Sequence, residues 1–172
     1  MRRHIISLIV ATLLISSILS SVAHSADLKS ITEVINQYKS QIVDLDKFDA
    51  DAKEYFIKSY MGRSPGIVKG DFNGDGKTDV ALLTRSALLF FICEEQCTLT
   101  KSIDYGSFAG YQFIVPIKKC KLIEEPGIDE KALIFRLRLK NTAVHLIFYG
   151  KASIAYYWHS EINDFDKLVT GD

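Results

Sequence analysis

VKGDFNGDGKTDVALL, residues 68–83, carries oxygen-bearing side chains at alternate positions of a glycine-rich stretch that runs into an apolar segment. With Asp71 as position 1, side-chain oxygens fall at positions 1, 3, 5 and 9, and Gly76 stands at position 6, where such a loop turns sharply. Position 7, Lys77, needs to supply only its backbone carbonyl. Hard cations take about six to eight oxygen ligands, so this spacing predicts the front of a calcium loop.

The stretch departs from the helix–loop–helix version of a calcium loop in two ways. Position 12 is Leu82, where that version has a bidentate Glu. The residues from Asp79 onward are β-branched and aliphatic, which predicts a strand and not a helix after the loop. We therefore expect a calcium loop that is followed by a strand and that belongs to another class than the helix–loop–helix version.

Residues 68–83 resemble the FG-GAP, or VCBS-type, repeat of secreted bacterial proteins and integrin α-chain propellers. In that family a calcium ion sits in a loop between strands, and the repeat recurs to build a propeller, whereas this chain has a single copy. The C-terminal stretch 143–172 resembles, more loosely, small exported bacterial proteins with one such loop. The first resemblance implies calcium ligands from Asp71, Asn73, Asp75, the Lys77 carbonyl and Asp79.

The same residues allow two other interpretations of the loop. Asp, Asn and Gly favour tight turns without any metal, but Asp71, Asp75 and Asp79 would repel each other if they converged without a cation. Gly74–Thr78 ends like a phosphate-binding loop, yet Asp71 stands where that loop needs glycine, and acidic side chains repel phosphate. We expect calcium and no nucleotide.

Residues 1–26 have the order of a secretory signal peptide. A basic start, Met1–His4, precedes the apolar run Ile5–Leu19 and a stretch of small and polar residues. We expect cleavage near Ala23 to Ala26 and a periplasmic or extracellular protein without a membrane span. The alternative is an uncleaved anchor, which the apolar run disfavours because it is short for a span of about 20 residues.

The chain has 172 residues, with 21 basic and 21 acidic side chains, which suits one globular domain over residues 27–172. Loss of residues 1–26 removes two arginines and no acid. A neutral to slightly acidic chain is not expected to bind nucleic acid through bulk charge. We also expect two basic stretches to be solvated surfaces: Lys118, Lys119 and Lys121, and Arg136, Arg138 and Lys140.

Helical spacing of apolar residues predicts helices at 30–43 and 50–60. From residue 67 onward, turn signals separate short segments rich in β-branched and aromatic residues. Gly150-Lys151 predicts a two-residue hairpin turn. These elements predict an α+β fold, with N-terminal helices before a mainly antiparallel sheet. The predicted strands are 79–84, 87–93, 112–117, 133–140, 143–149 and 152–159.

The cysteines and histidines give weak signals for chemistry. An exported chain favours a disulfide among Cys93, Cys97 and Cys120, and the sequence leaves the pairing open. With the two-residue turn, His145 and His159 fall on opposite faces of the sheet, so we expect no shared nucleophilic site. A zinc site is disfavoured because the cysteine spacing does not match one.

These patterns favour a binding or structural accessory protein over an enzyme. We expect one calcium ion to stabilise it. Its partner would be a protein or a component of the cell envelope. Two alternatives stay open. An exported hydrolase of envelope polymers predicts a cleft lined by paired acids. A small inhibitor or partner of another secreted protein predicts an exposed aromatic or apolar patch.

Overall fold

The computed structural model describes residues 30–124 and 136–171, so the predicted signal peptide and part of the predicted strand 133–140 lie outside the described residues. The helices are α1 (Ile31–Tyr38), a short 3-10 helix (Leu45–Lys47) and α2 (Ala50–Tyr60). The strands are β1 (Ile67–Gly70), β2 (Asp79–Leu83), β3 (Ala87–Cys93), β4 (Cys97–Asp104), β5 (Gln112–Ile117), β6 (Leu122–Glu124), β7 (Arg136–Arg138), β8 (Ala143–Phe148), β9 (Ala152–His159) and β10 (Asp164–Gly171).

Two four-stranded antiparallel sheets form the body of the described structure, in the orders β1-β2-β3-β4 and β10-β9-β8-β5. β6 and β7 pair as a small two-stranded sheet. Buried side chains from both large sheets form one core cluster, so the sheets pack face to face as a sandwich. The predicted α+β class is therefore wrong: the structure is mostly β, with two short helices.

The outer faces of the sandwich are covered too. Val34 of α1 packs with Leu82 and its neighbours on the first sheet. Phe56 of α2 packs on Phe113 of the second sheet, and Leu139, beside β7, joins a cluster on another part of the second sheet. Every residue of β2 is buried, which explains why its sequence after Asp79 is apolar without alternation. The helices cover parts of the sheets and do not form a layer of their own. Their clear helical periodicity in the sequence therefore suggested a larger helical part than the fold contains.

α1 ends at Tyr38, although the spacing of apolar residues predicts helix as far as residue 43. The Val43 backbone N–H donates to the Leu83 carbonyl at 2.9 Å, and Ile42 forms an antiparallel bridge with Thr84. Pairing with the end of β2 therefore removes these residues from the helix. A tertiary contact outweighs helical propensity here.

Four strands have no counterpart among the predicted elements: β1, β4, β6 and β10. β4 lies at the edge of the first sheet, and its exposed side chains are polar except for Leu99. An edge strand with one wet face and few apolar residues gives little hydrophobic signal. The remaining six strands lie inside the predicted segments.

The β8–β9 hairpin has a longer turn than the sequence predicts. Phe148 pairs with Ala152 across a three-residue loop, in place of the predicted two-residue turn. His145 then lies opposite Ala155, on the same face of the sheet as His159. The prediction that the histidines lie on opposite faces is wrong, because a one-residue shift of register moves every side chain of a strand to the other face.

A disulfide joins Cys93 to Cys97, which face each other at the ends of β3 and β4. Residues 94–96 form the loop between them. Cys120 is free and exposed, with a φ of 67°. Of the pairings that the sequence left open, the structure therefore has the one that closes a hairpin, and this hairpin lies beside the Asp-rich loop.

Candidate metal centre

The Asp-rich loop, residues 71–78, connects β1 to β2. These strands pair antiparallel, with Gly70 opposite Asp79, so the loop begins and ends at the same point of the sheet. Gly74 and Gly76 have φ values of 88° and 84°, in the left-handed region that other residues rarely adopt. Glycine thus stands at both points where the loop backbone reverses.

Asp71, the first residue of the loop, accepts hydrogen bonds from two backbone amides farther along it. Its Oδ1 accepts the Gly74 backbone N–H at 2.7 Å, and its Oδ2 accepts the Gly76 N–H at 3.1 Å. Its own carbonyl accepts the backbone N–H of Thr142 at 3.0 Å, from the segment between β7 and β8. The Asp71 carboxylate therefore stabilises the loop through two of its own amides. The Asp71 carbonyl attaches the loop to the segment between β7 and β8.

Asn73 and Asp75 each form a local turn with the residue two positions on. Asn73 Oδ1 accepts the Asp75 backbone N–H at 3.1 Å, and Asp75 Oδ1 accepts the Lys77 N–H at 2.7 Å. Such Asx turns mimic a backbone turn and hold each side-chain oxygen against the amide two residues on. Three of the predicted side-chain ligands are thus held by amides of the loop itself.

Asp79 differs from the other acids because it is fully buried. Its Oδ2 accepts the Phe72 backbone N–H at 2.8 Å, and its Oδ1 accepts the Cys93 backbone N–H at 2.9 Å. Burial raises the pKa of the Asp79 carboxyl, amide hydrogen bonds from Cys93 and Phe72 lower it, and the nearby charge of Asp75 raises it again. The carboxylate links the loop to the end of β3 and so to the disulfide.

The donor set suits a hard cation, although its carboxylates already accept hydrogen bonds from backbone amides. A carboxylate has about four lone-pair positions, so Asp71 and Asp79, with two amide bonds each, keep acceptor capacity for an ion. Within residues 30–124 and 136–171, however, no group of three or more His, Cys, Asp or Glu side chains lies close enough together to hold a metal. The oxygens of Asp71, Asn73, Asp75 and Asp79 point toward backbone amides.

Two residues that the sequence analysis missed pack directly on this loop. A Cβ atom built on Gly74 would lie 2.7 Å from Asn141 Oδ1, and one on Gly70 would lie 2.6 Å from Thr142 Cγ2. Both glycines therefore allow a close approach of the segment before β8. Nothing local in the sequence marks Asn141 or Thr142, because they meet the loop only through the packing of the two sheets.

Hydrogen bonds connect the His145 imidazole with the hydroxyl of Thr170 and, through it, with the hydroxyl of Ser153. Ser153 Oγ donates to the Gly171 carbonyl at 2.7 Å, so its one proton is committed there and it must accept from Thr170 Oγ1 at 2.8 Å. Thr170 in turn must accept from His145 Nε2–H, at 2.9 Å. The imidazole is therefore a donor to Thr170 and not its base. This arrangement ties β8, β9 and β10 together and offers no activated nucleophile.

The two basic stretches are brought together on the β6–β7 pair, where Leu122 lies opposite Arg138. The described basic side chains there are exposed: Lys118, Lys119, Lys121, Arg138 and Lys140.

No model of a known protein family matches the chain. Neither a curated protein nor a solved structure matches it significantly. The resemblance to the FG-GAP repeat therefore rests on residues 68–83 alone. In the part of the chain that the structure describes, no helix has the length and apolar character needed to cross a membrane.

Replacement of Asp79 tests whether its buried carboxylate organises the loop. Asp79→Asn keeps one acceptor but turns an amide NH₂ toward the second backbone N–H, so we expect a loss of about 1–3 kcal/mol in unfolding free energy. Urea unfolding in the presence of EDTA measures this loss without any contribution from a cation. In the matched control, Asp104→Asn, the exposed side chain caps only the Gly106 amide, so a much smaller loss is expected. Equal losses in the two variants would contradict this role for Asp79.

The stability of the protein should fall in mild acid because of His145. Burial, followed by the positive charge of Lys121, lowers the pKa of His145 to about 4. The unfolded chain takes up this proton near pH 6.5, so stability is lost as the pH falls from about 6.5 to about 4 and levels off below. At about 1.4 kcal/mol per pKa unit, the loss approaches about 3 kcal/mol.

Urea unfolding of wild type and His145→Gln across this pH range isolates that contribution. Glutamine keeps a donor for Thr170 and cannot titrate, so the unfolding free energy of the variant should depend less steeply on pH. Parallel pH profiles for the two proteins would show that His145 does not cause the acid sensitivity.

Proposed function

We propose that this chain is an exported binding or structural accessory protein, stabilised by one calcium ion in the loop 71–78 and its flanking residue Asp79. The observation that carries the proposal is the loop itself. Its oxygen side chains at positions 1, 3, 5 and 9 sit in a closed turn between two paired strands, with glycine at the reversal points. This is the chain arrangement that the FG-GAP resemblance implies.

The contacts of the loop support a structural role for the ion. The Asp71 carbonyl and the Asp79 carboxylate connect the loop to the segment before β8 and to the end of β3. A cation bound by the loop would reduce the repulsion among its acidic side chains. It would thereby stabilise the loop, the segment before β8 and the end of β3 in their relative positions. At an ion concentration a hundredfold above the dissociation constant, binding would add about 2.7 kcal/mol to the unfolding free energy.

Calcium should raise the melting temperature of the protein. Extracellular modules bind calcium with dissociation constants of about 10⁻⁴–10⁻³ M, so a concentration of about 10 mM approaches saturation. For a chain of this size we expect a rise of about 5–10 °C over the value in EDTA. Differential scanning calorimetry measures both midpoints. No rise in wild type would contradict the proposal.

Two variants of Asp75 separate the ion from the turn. Asp75→Asn keeps the acceptor for the Lys77 amide but loses the charge, so its midpoint in EDTA should stay near that of wild type while its calcium response shrinks. Asp75→Ala should lose the response altogether. Asp104→Ala removes a similar Asx turn outside the loop and should keep the full response. An unchanged response in Asp75→Ala would locate the ion elsewhere.

The accessory role supposes that the chain has no turnover of its own. Hydrolysis of an envelope polymer by the purified protein, lost in Asp75→Ala while the fold persists, would overturn this part of the proposal and favour the hydrolase.

Export is proposed from the order of charges and apolar residues in residues 1–26. Expression of the full chain should yield a periplasmic or secreted product whose mass places its N-terminus between residues 24 and 27. Replacement of Leu13 and Leu14 with Arg should block export, because charges interrupt the apolar run. Recovery of wild type from the membrane fraction at full-length mass would instead indicate an uncleaved anchor.

A further inference from the structure

A groove of about 660 Å³ opens beside the Asp-rich loop. Its walls come from parts of the chain that lie far apart in sequence: the loop with Lys77, the disulfide hairpin with residues 94–96, and the turn between β9 and β10 with Asn163. Trp158 and Ile92 supply its apolar lining. This volume lies in the range of ligand-binding sites, which spans about 300–1,000 Å³.

Five polar side chains of the groove are available to a ligand. Those of Lys77, Glu94, Glu95, Gln96 and Asn163 take part in no hydrogen bond with another described residue. They offer carboxylate and amide oxygens as acceptors, and ammonium and amide groups as donors. A matching ligand must therefore both donate and accept hydrogen bonds at several points along its length.

Trp158 contributes part of its indole ring to the lining of the groove. The indole is half-buried and is held edge to face against Phe165, with ring centroids 5.1 Å apart and planes at 85°. Contact with the main core cluster further limits its motion. Tryptophan combines a large apolar surface with a polar edge, so it suits a ligand with one apolar face.

The charge of the groove excludes some ligands and favours others. The lining carries two glutamates and one lysine, so its net charge is negative. This charge would repel phosphate-bearing polymers and nucleic acids. A pyranose ring has an apolar C–H face that can stack on indole and a rim of hydroxyls that both donate and accept. We propose that this groove binds a chain of neutral pyranose sugars. The inference rests on the proposed binding role and names its ligand class.

Trp158 is the sole tryptophan in the chain, so its fluorescence reports directly on the groove. Titration of the purified protein with a β-1,4-linked tetramer of glucose, and with one of N-acetylglucosamine, should change the emission in a saturable way with at least one of them. Tetralysine serves as the comparison, because the two glutamates could instead attract a basic peptide.

Two variants of the groove test the contacts without removing the tryptophan. Gln96→Ala removes an exposed side chain, and Asn163→Gly suits the positive φ of 52° at that position. Each should weaken sugar binding about 2- to 10-fold, the range expected for loss of one hydrogen bond. Gln41→Ala, the same substitution as Gln96→Ala but on the surface outside the groove, should bind as wild type does.

The outcomes separate this inference from the proposed function. No response to either sugar, or equal binding by all three variants, would overturn it. Binding of tetralysine alone, abolished by high salt, would overturn it in favour of a basic peptide partner. The calcium-dependent melting temperature of the same samples is measured independently, so a failed calcium response with intact sugar binding would overturn only the metal site.

Discussion

The buried carboxylate of Asp79 connects the Asp-rich loop, the core between the sheets and the disulfide hairpin. A buried carboxylate is costly unless hydrogen bonds replace its water, and here the amides of Phe72 and Cys93 do so. The ring of Phe72 lies in the core between the sheets, edge to face with Phe90 and Phe165. The loop, the sandwich core and the disulfide hairpin therefore share one anchor, and none can shift without disturbing the others.

The architecture follows from apolar strands that must be covered on both faces. β2 is buried throughout because the second sheet packs on one side of it and α1 on the other. α2 does the same for part of the second sheet through Phe56. Small helices suffice for this, since each covers only part of a sheet face. The result is a mostly β protein that begins, in its described part, with helical segments.

Two sites with different roles emerge from this packing. The hydroxyl chain from His145 joins three strands of the second sheet and uses every available proton in hydrogen bonds, so it is structural. The groove beside the Asp-rich loop has the opposite character, because the side chains of Glu94, Gln96 and Asn163 form no hydrogen bond with another described residue and Trp158 lies among them. Lys77 connects this groove with the loop, since its amide is held inside the loop by Asp75.

Local sequence determined the features that depend on neighbouring residues. Gly76 at the sharp turn of residues 71–78 and six of the strands were predictable, because left-handed backbone and hydrophobic pattern are local properties. The pairing of Cys93 with Cys97 remained one of several options until the strands were placed opposite each other.

Tertiary structure decided whatever depends on contacts between distant segments. The one-residue shift at the β8–β9 turn put His145 and His159 on the same face, and pairing of Val43 with Leu83 shortened α1. The polar edge strand β4 carries almost no hydrophobic signal. The groove lies among loops far apart in the chain, so no local pattern can reveal it. Sequence determines local geometry, whereas register and the meeting of loops are set by how whole sheets pack.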